Sequence, residues 1–433
     1  MRILYICILL PVLVVGAVAH SSELIISPSR PETGIELRDE AKRLVAHLTA
    51  EFPKSADALE VKARIHLLLG ETSEARQAWE AALKINPNYG YANHGLGKVA
   101  MLTADYAEAL QQLLIARAAQ PGFADAAHDL SDAYLKTGEV KKAIAVLKRY
   151  ASSHPDSTET FLLLGQAYLL DQEFESAREA FEKTLELQDD VLQAKEGLGK
   201  ALMRLGQTEK AKELLRAQKA ERDAQNQGNK TQAEVFADEC RDYSERYTQA
   251  ARIYLAGAAP VVAIQVLEKS VLLNGENTDA WDLLLKSYQQ QKEMPLALER
   301  AKTMCEINPE VAGCHFTHAQ LLAQSGDWEG AKNSLEKVVQ LAPESVGGIE
   351  TLIRVLIQLR KEFPRTIELA QKAVQLRGNA ADHELLAQTY AINRQFGQAF
   401  ESLKTALTMD PQNVAYQRAM QQLQAFRAKL KQK

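Results

Sequence analysis

Residues 90–123 read GYANHGLGKVAMLTADYAEALQQLLIARAAQPGF, and residues 124–157 read ADAAHDLSDAYLKTGEVKKAIAVLKRYASSHPDS. When these two stretches are aligned, alanine and proline recur in register at an interval of 34 residues. The same interval separates four pairs of alanine and proline, namely Ala41 and Pro53, Ala75 and Pro87, Ala109 and Pro121, and Ala143 and Pro155. A fixed period of this length predicts an array of stacked units, each of which needs its neighbours to cover its apolar face.

The composition favours helices along the whole chain. Of its 433 residues only 13 are proline and 6% are aromatic, while alanine, leucine and glutamate, which are good helix formers, are abundant. The 51 basic and 56 acidic residues give a net charge of −5, so the chain as a whole offers no positive field to a phosphate backbone or to anionic lipid. We therefore expect an all-α protein that does not bind nucleic acid.

Small residues recur where the two helices of one unit would meet. Leu-Gly or Leu-Ser pairs stand at 96–97, 130–131, 164–165 and 198–199, and two antiparallel helices approach closely only where such small residues face each other. Gly70, Gly138, Gly206 and Gly326 fall between the two helices, where a residue in the left-handed conformation ends the first helix at low cost. Each unit is therefore predicted to be a helical hairpin.

This pattern resembles the tetratricopeptide repeat. Residues 158–191 show it well, with Leu164-Gly165 and Tyr168 on the first helix and Ala177 and Phe181 on the second. On this alignment residues 56–225 form a first block of five repeats and residues 244–413 a second block of five. The resemblance implies a right-handed α-solenoid of about ten hairpins, whose first helices line a concave groove that holds proteins or peptides, with no enzyme activity and no cofactor.

The segments that flank the two blocks complete the predicted organisation. Pro28 and Pro31 fall where a first helix would be needed, so residues 35–55 are expected to be a half repeat, a single helix that caps the array. Residues 226–243 are expected to be a charged helical insertion or hinge. Residues 414–433 are expected to be a C-terminal capping helix, which is apolar on one side and polar elsewhere.

The N-terminus is typical of a secretory signal peptide. Met1-Arg2 gives a positive start, residues 3–18 are uncharged and mostly apolar, and Ala17-Val18-Ala19 is a small-x-small cleavage site. Residues 1–19 are therefore predicted to be removed, which leaves residues 20–34 as a disordered or extended segment of an exported protein, periplasmic or secreted. The alternative is that residues 3–19 stay uncleaved as a membrane anchor.

Groove residues are the candidates for binding a partner peptide. Six of the ten residues at the ninth position of the repeats are basic, which could pair with carboxylates of a partner. Four of them have an acid one turn earlier, so the alternative is a face neutralised by its own pairs: Glu60/Arg64, Glu196/Lys200, Asp282/Lys286 and Glu350/Arg354. The candidate peptide-binding residues are Tyr91, His94, Lys98, Met101, His128, Leu162, Lys200 and Arg252.

Cysteine and histidine residues give only weak signals of other chemistry. Cys305 should close one hairpin and Cys314 should open the next, so they could form a disulfide in an oxidising compartment or remain two partly buried thiols. Cys314, His315 and His318, like the pair His94 and His128, are too few for a metal site with ordinary zinc ligands. No arrangement of nucleophile, base and acid stands out, so neither a catalytic nor a metal site is expected.

The sequence thus predicts an exported, non-enzymatic scaffold that binds proteins or peptides in its concave groove. A rival interpretation is a structural assembly factor of an envelope complex, held at the membrane by residues 3–19. A third is an enzyme with a metal site around Cys314, His315 and His318. The identity of the partner and the oligomeric state do not follow from a repeat that serves many tasks.

Overall fold

The computed structural model describes residues 26–226 and 231–431, and every regular element in these two ranges is an α-helix. The described residues divide into two compact units, one ending at Asn274 and one beginning at Gly275. The helices of the first unit are α1 (Gly34–Glu51), α2 (Ala56–Leu68), α3 (Thr72–Ile85), α4 (Gly90–Leu102), α5 (Tyr106–Ala119), α6 (Ala124–Lys136), α7 (Val140–Ser153), α8 (Thr158–Leu170), α9 (Phe174–Leu187), α10 (Leu192–Arg204), α11 (Thr208–Asn226), α12 (Gln232–Ala256) and α13 (Pro260–Leu273).

The second unit is built in the same way. Its helices are α14 (Thr278–Gln290), α15 (Met294–Ile307), α16 (Ala312–Ser325), α17 (Trp328–Leu341), α18 (Val346–Leu359), α19 (Phe363–Leu376), α20 (Ala380–Ile392), α21 (Phe396–Met409) and α22 (Val414–Lys431). Consecutive helices from α2 to α21 pair into ten hairpins, and α22 packs against α21. The all-α fold of helical hairpins predicted from the sequence is confirmed. None of the helices that the structure describes combines the length and the apolarity needed to span a bilayer.

Aromatic rings held against glycine set the spacing of the hairpins in the first unit. Phe181 of α9 is fully buried, and a Cβ atom on Gly165 of α8 would lie 2.6 Å from its ring. A Cβ atom on Gly197 of α10 would lie closer still to the same ring, from the side of the next hairpin. Trp79 of α3 meets Gly95 of α4 in the same way. Each ring therefore fits only because the facing helix has no side chain at that point.

The turn inside each hairpin uses one left-handed residue at the same place in the repeat. Four of these residues are the predicted glycines, at φ of +75° to +87°. The other six carry side chains, and their φ values lie between 53° and 63°: Ala104, Gln172, Ala258, Lys292, Arg360 and Arg394. A left-handed non-glycine residue costs roughly 1–2 kcal/mol, so packing of the helices, rather than local preference, fixes these six turns.

The hairpin of α12 and α13 packs against α1, the helix that the sequence predicts to cap the N-terminal end of the array. From Gln232 onward, the predicted insertion belongs to the same helix as the next first helix, α12, along which Tyr243, Tyr247 and Tyr254 form one fully buried stripe. Thr231 and Glu234 cap the start of this helix through a capping box. Helix α12 lies against both α1 and α2, so α1 is covered by a helix from far along the chain and is not a single terminal cap. Residues 227–230 lie outside the described range.

A buried ion pair fastens this hairpin to α1. Lys269 of α13 and Glu40 of α1 are both buried, and the Lys269 Nζ atom lies 2.8 Å from Glu40 Oε2. The ammonium also donates to the carbonyl oxygens of Ser27, at 3.1 Å, and Ser29, at 2.6 Å. The segment before α1, which contains several bends, is therefore held to the unit, and Ile26 and Pro31 within it are buried. Burial lowers the pKa of Lys269 and raises the pKa of Glu40, so desolvation opposes the charges that the pairing favours.

In the second unit, helix α19 is shifted by one residue in its repeat, since it begins at Phe363, which is 35 residues after α17 begins at Trp328. Helix α18 ends at Leu359, and both Arg360 and Glu362 adopt left-handed φ values of 53° before α19 begins. This second left-handed residue absorbs the shift. The terminal helix α22 places Tyr416 and Met420 against the small core cluster of α20 and α21, as expected of a capping helix.

Replacing Gly197 by alanine should destabilise the first unit even though alanine is the better helix former. The gain in helix propensity is about 0.8–1.0 kcal/mol, whereas forcing a methyl group into the Phe181 ring should cost about 1–3 kcal/mol. Amide hydrogen exchange of α9 and α10 should show faster opening. Gly347→Ala in α18, where a Cβ atom meets nothing within 4 Å, should be neutral or stabilising. If Phe181→Leu does not relieve the Gly197→Ala defect, the ring is not what sets the spacing.

Removing one partner of the buried ion pair should lower the stability of the protein more than removing both. Lys269→Met leaves a buried carboxylate without a cation and should cost about 3–5 kcal/mol, while Lys269→Met combined with Glu40→Leu should recover most of this loss. Hydrogen exchange of α1 and α12 measures the change. The exposed pair of Lys212 and Glu209 serves as the control, since Lys212→Met should cost less than about 1 kcal/mol. Equal exchange in both single variants would contradict a fastening role for Lys269.

Candidate functional site

The predicted patch on the first helices is built around a cluster of aromatic rings. The Tyr91 ring packs edge-on against Tyr89, with centroids 5.7 Å apart, and against Phe123, at 5.1 Å. Phe123 in turn contacts the His94 ring at 4.7 Å. The Tyr89 hydroxyl donates to Asp57, and burial together with this hydrogen bond raises its pKa. Tyr91 keeps 38% of its surface exposed, so it is a braced aromatic side chain that still faces solvent.

His94 contacts this aromatic cluster from the buried side, through Phe123. Its side chain is fully buried in α4, and its Nε2 atom lies 2.7 Å from Asp129 Oδ2 of α6. Its Nδ1 atom has no hydrogen-bond partner in the structure. His94 therefore ties α4 to α6 and lies in the core beneath the patch instead of on its surface.

Lys98 and Met101 extend the patch along α4. Both are half-buried, and within the described residues the Lys98 ammonium has no ion-pair partner. Leu102, one residue further, is 66% exposed. Tyr91, Lys98 and Met101 are thus the candidate residues that reach solvent together, on the same helix.

The other candidates take different places. The His128 Nε2 atom lies 2.8 Å from Thr160 Oγ1 of α8, and burial lowers the pKa of this imidazole. Leu162 belongs to the buried core cluster around Phe181. Lys200 is exposed and pairs with Glu196 at 2.7 Å, and Arg252 is exposed on α12. The eight residues are therefore not one contiguous surface.

The predicted pairs along the first helices are formed in three of the four cases. Arg64 pairs with Glu60, Lys200 with Glu196, and Lys286 with Asp282. The exception is Glu350, which receives a hydrogen bond from Arg377. Glu60 also accepts a hydrogen bond from the Trp79 indole, which couples this pair to the core.

Cys305 and Cys314 are free thiols in the structure, buried at the end of α15 and the start of α16. Burial, with the nearby Cys314 as a smaller contribution, raises the pKa of Cys305 to about 12, so its thiol is protonated at neutral pH. The His315 and His318 side chains go to different partners, Pro309 O at 2.9 Å and Ser334 Oγ at 3.2 Å. Within residues 26–226 and 231–431, no three Cys, His, Asp or Glu side chains are placed to hold a metal ion.

Sequence reasoning missed the two residues of the next repeat that shape the patch. Phe123 braces Tyr91, and Asp129 binds His94. A signal for the first was present, because Phe123 stands 34 residues after Tyr89, so two successive repeats end on an aromatic residue.

Models of the tetratricopeptide repeat match residues 56–89, 104–167, 162–226 and 383–413. No curated protein matches this chain. Crystal structures similar to it include MamA from Desulfovibrio magneticus RS-1, residues 41 to the end, with 21% identity over 39% of this chain and 96% of that chain and a TM-score of 0.37. PilW, a widely conserved type IV pilus biogenesis factor, has 22% identity over 43% and 86% and a TM-score of 0.39. The TPR domain of P58(IPK) has 20% identity over 79% and 99% and a TM-score of 0.26.

Proposed function

We propose that this chain, which is built from tetratricopeptide repeats and so is suited to protein–protein interaction, is an exported, non-enzymatic scaffold that captures a partner protein or peptide on its first helices. The observation that carries the proposal is the solvent-facing group of Tyr91, Lys98 and Met101 on α4, here called the α4 patch. Repeat proteins bind in this way by summing modest contacts from several units.

The α4 patch has the chemistry of a peptide-binding hot spot. Tyr91 is already held by Tyr89 and Phe123, so a partner side chain that packs on it orders little that is not ordered beforehand. Lys98 offers a cation that its own unit does not neutralise, and a partner carboxylate can pair with it. Met101 adds a flexible apolar contact that tolerates different side chains.

The acids on the neighbouring helix narrow the choice of partner. Asp125 is exposed and Asp132 half-buried on α6, beside α4. A partner segment that reached from α4 to α6 would contact the Lys98 cation first and then the carboxylates of Asp125 and Asp132. The proposed partner segment therefore combines an apolar residue for Tyr91, an acid for Lys98 and a basic residue for α6.

Replacing Tyr91 and Lys98 together by alanine should abolish capture without unfolding the protein. Each side chain is expected to contribute about tenfold or more to affinity, since truncating a well-packed hot-spot residue costs about 1–2 kcal/mol or more. The partner is first identified by a photo-crosslinking residue placed at position 91 in cells, and its affinity is then measured by calorimetry.

Lys200→Ala is the matched control, because Lys200 stands at the same position of a later repeat but already pairs with Glu196. This variant should bind as the wild type does. An unchanged affinity in the double variant, with circular dichroism showing a normal melting temperature, would remove the α4 patch from the proposal.

Export rests on residues 1–19, which lie outside the described residues. The alternative is a structural assembly factor of an envelope complex, in which residues 3–19 remain as a membrane anchor. The two differ in the mass of the mature protein. We expect a chain that begins near His20 in the exported fraction, whereas a chain that retains residues 3–19 and sediments with membranes would establish the anchored form.

A further inference from the structure

In the third hairpin, α6 and α7, and in the second hairpin, α4 and α5, acidic and basic residues lie on different parts of the helices. The first helix, α6, carries three acids, Asp125, Asp129 and Asp132. By contrast, residues 109–124 and 140–155, which include most of the second helices α5 and α7, have no acidic residue at all. Helix α7 carries four cations and no acid, while α5 carries Arg117 in its last turn and Glu108 in its first turn. The last turns of these two second helices therefore form a local basic surface.

This basic surface contains a groove of about 760 Å³, formed by the last turns of α5 and α7 and the loops that follow them. Arg117 of α5 and Arg149 of α7 line it, and Leu114 and Tyr150 give it an apolar floor. Leu114 is 43% exposed, so its side chain can be reached from the groove. The Tyr150 ring is stacked on the His154 ring, with centroids 4.1 Å apart, and this contact holds the Tyr150 side of the floor in place.

The guanidinium groups of Arg117 and Arg149 make no contact that holds the fold together. In the described part of the chain, neither Arg117 nor Arg149 has an ion-pair or hydrogen-bond partner. The reason lies in the sequence, because no acid stands three or four residues away from either of them. Arg76 of α3 shows the usual arrangement, a two-point contact with Glu108 at 2.5 and 2.9 Å.

Other groups near the groove do not neutralise these cations. Burial, and to a smaller extent the charges of Asp125 and Asp156, raises the pKa of Tyr150, and in the described residues neither of these carboxylates pairs with Arg117 or Arg149. The hydroxyl groups of Ser152 and Ser153 donate to backbone carbonyls of their own helix, at 2.8 and 3.0 Å. The arginines are therefore the free donors of the groove.

We propose that this groove is a second binding site, separate from the α4 patch, and that it takes an acidic protein segment. Carboxylates of the segment would pair with Arg117 and Arg149, whose planar guanidinium groups suit two-point contacts. An apolar residue between these acids would rest on Leu114 and Tyr150. The apolar floor favours a protein segment over a polyphosphate, which has no apolar group to place there.

The test is fluorescence anisotropy on the full chain with a labelled peptide in which Asp-Glu pairs alternate with leucine. Its isostere, with Asn and Gln in place of the acids, should bind at least about tenfold more weakly, since the charge-assisted hydrogen bonds are lost. Binding of the acidic peptide should weaken as NaCl is raised from about 50 to about 300 mM. Equal binding of the two peptides would overturn the proposal without the use of any variant.

Variants then locate the site. Arg117→Gln combined with Arg149→Gln should weaken the acidic peptide by at least about tenfold. Lys183→Gln should leave binding unchanged, because Lys183 stands at the position of Arg149 in the next repeat and already pairs with Glu186 at 3.0 Å. The variant with alanine at positions 91 and 98 should also bind normally, which separates this groove from the α4 patch.

Three further outcomes would overturn the proposal. They are wild-type affinity in the double arginine variant, loss of binding in the variant of the α4 patch, and tighter binding to heparin or to phosphatidylserine vesicles than to the acidic peptide. Arg117 lies in the last turn of α5, where a cation also stabilises the helix end, so melting temperatures are measured in parallel. If the double variant is unfolded, the comparison of the two peptides on the wild type decides.

Discussion

Everything in the first unit depends on the fit of large rings against residues that have no side chain. Phe181 lies between Gly165 of its own hairpin and Gly197 of the next, and Trp79 lies against Gly95. Full burial of such a ring contributes about 1.5–3 kcal/mol, and it is obtained only if the helices approach to the distance that glycine allows. This one constraint sets the spacing of the first helices. In the second hairpin, which carries Tyr91 and Arg117, Leu113 takes the place of the ring and lies against Gly97.

The parts of the fold that were predictable from the sequence are those made by neighbours along the chain. Hairpins, turns and pairs such as Glu196 and Lys200 join residues within one repeat, so the 34-residue period carries their signal. The docking of α12 on α1 had no such signal, because Lys269 and Glu40 are separated by 229 residues. Lys269 follows Glu268 and has the sequence of an ordinary exposed position. Only the tertiary structure shows that three acceptors compensate for its burial.

The candidate site illustrates the same limit at a smaller scale. Helical geometry alone predicts which residues of α4 share a face, and on the predicted face Tyr91 is exposed and Lys98 is half-buried. Exposure, however, also depends on how far the next repeat reaches across that face. Phe123 and Asp129 are large enough to cover His94, so a residue on the predicted face is fully buried. Repeats of identical register thus expose different residues, because the side chains of their neighbours differ.

This variation has a consequence for what an array of repeats can do. Stability resides in small and large residues packed between helices, as Gly197 and Phe181 are, whereas most charged side chains lie outside this packing, with Lys269 and Glu40 as exceptions. Acids can therefore collect on a first helix such as α6, and cations on a second helix such as α7, without cost to the core. The cost is electrostatic, and it falls on cations that find no acid within their own helix. A guanidinium group that has no acid one turn away in its own helix, and that lies on an apolar groove, is paired most favourably by a carboxylate from another chain. Unpaired charge, more than shape, therefore distinguishes the face of the second helices from the face of the first helices.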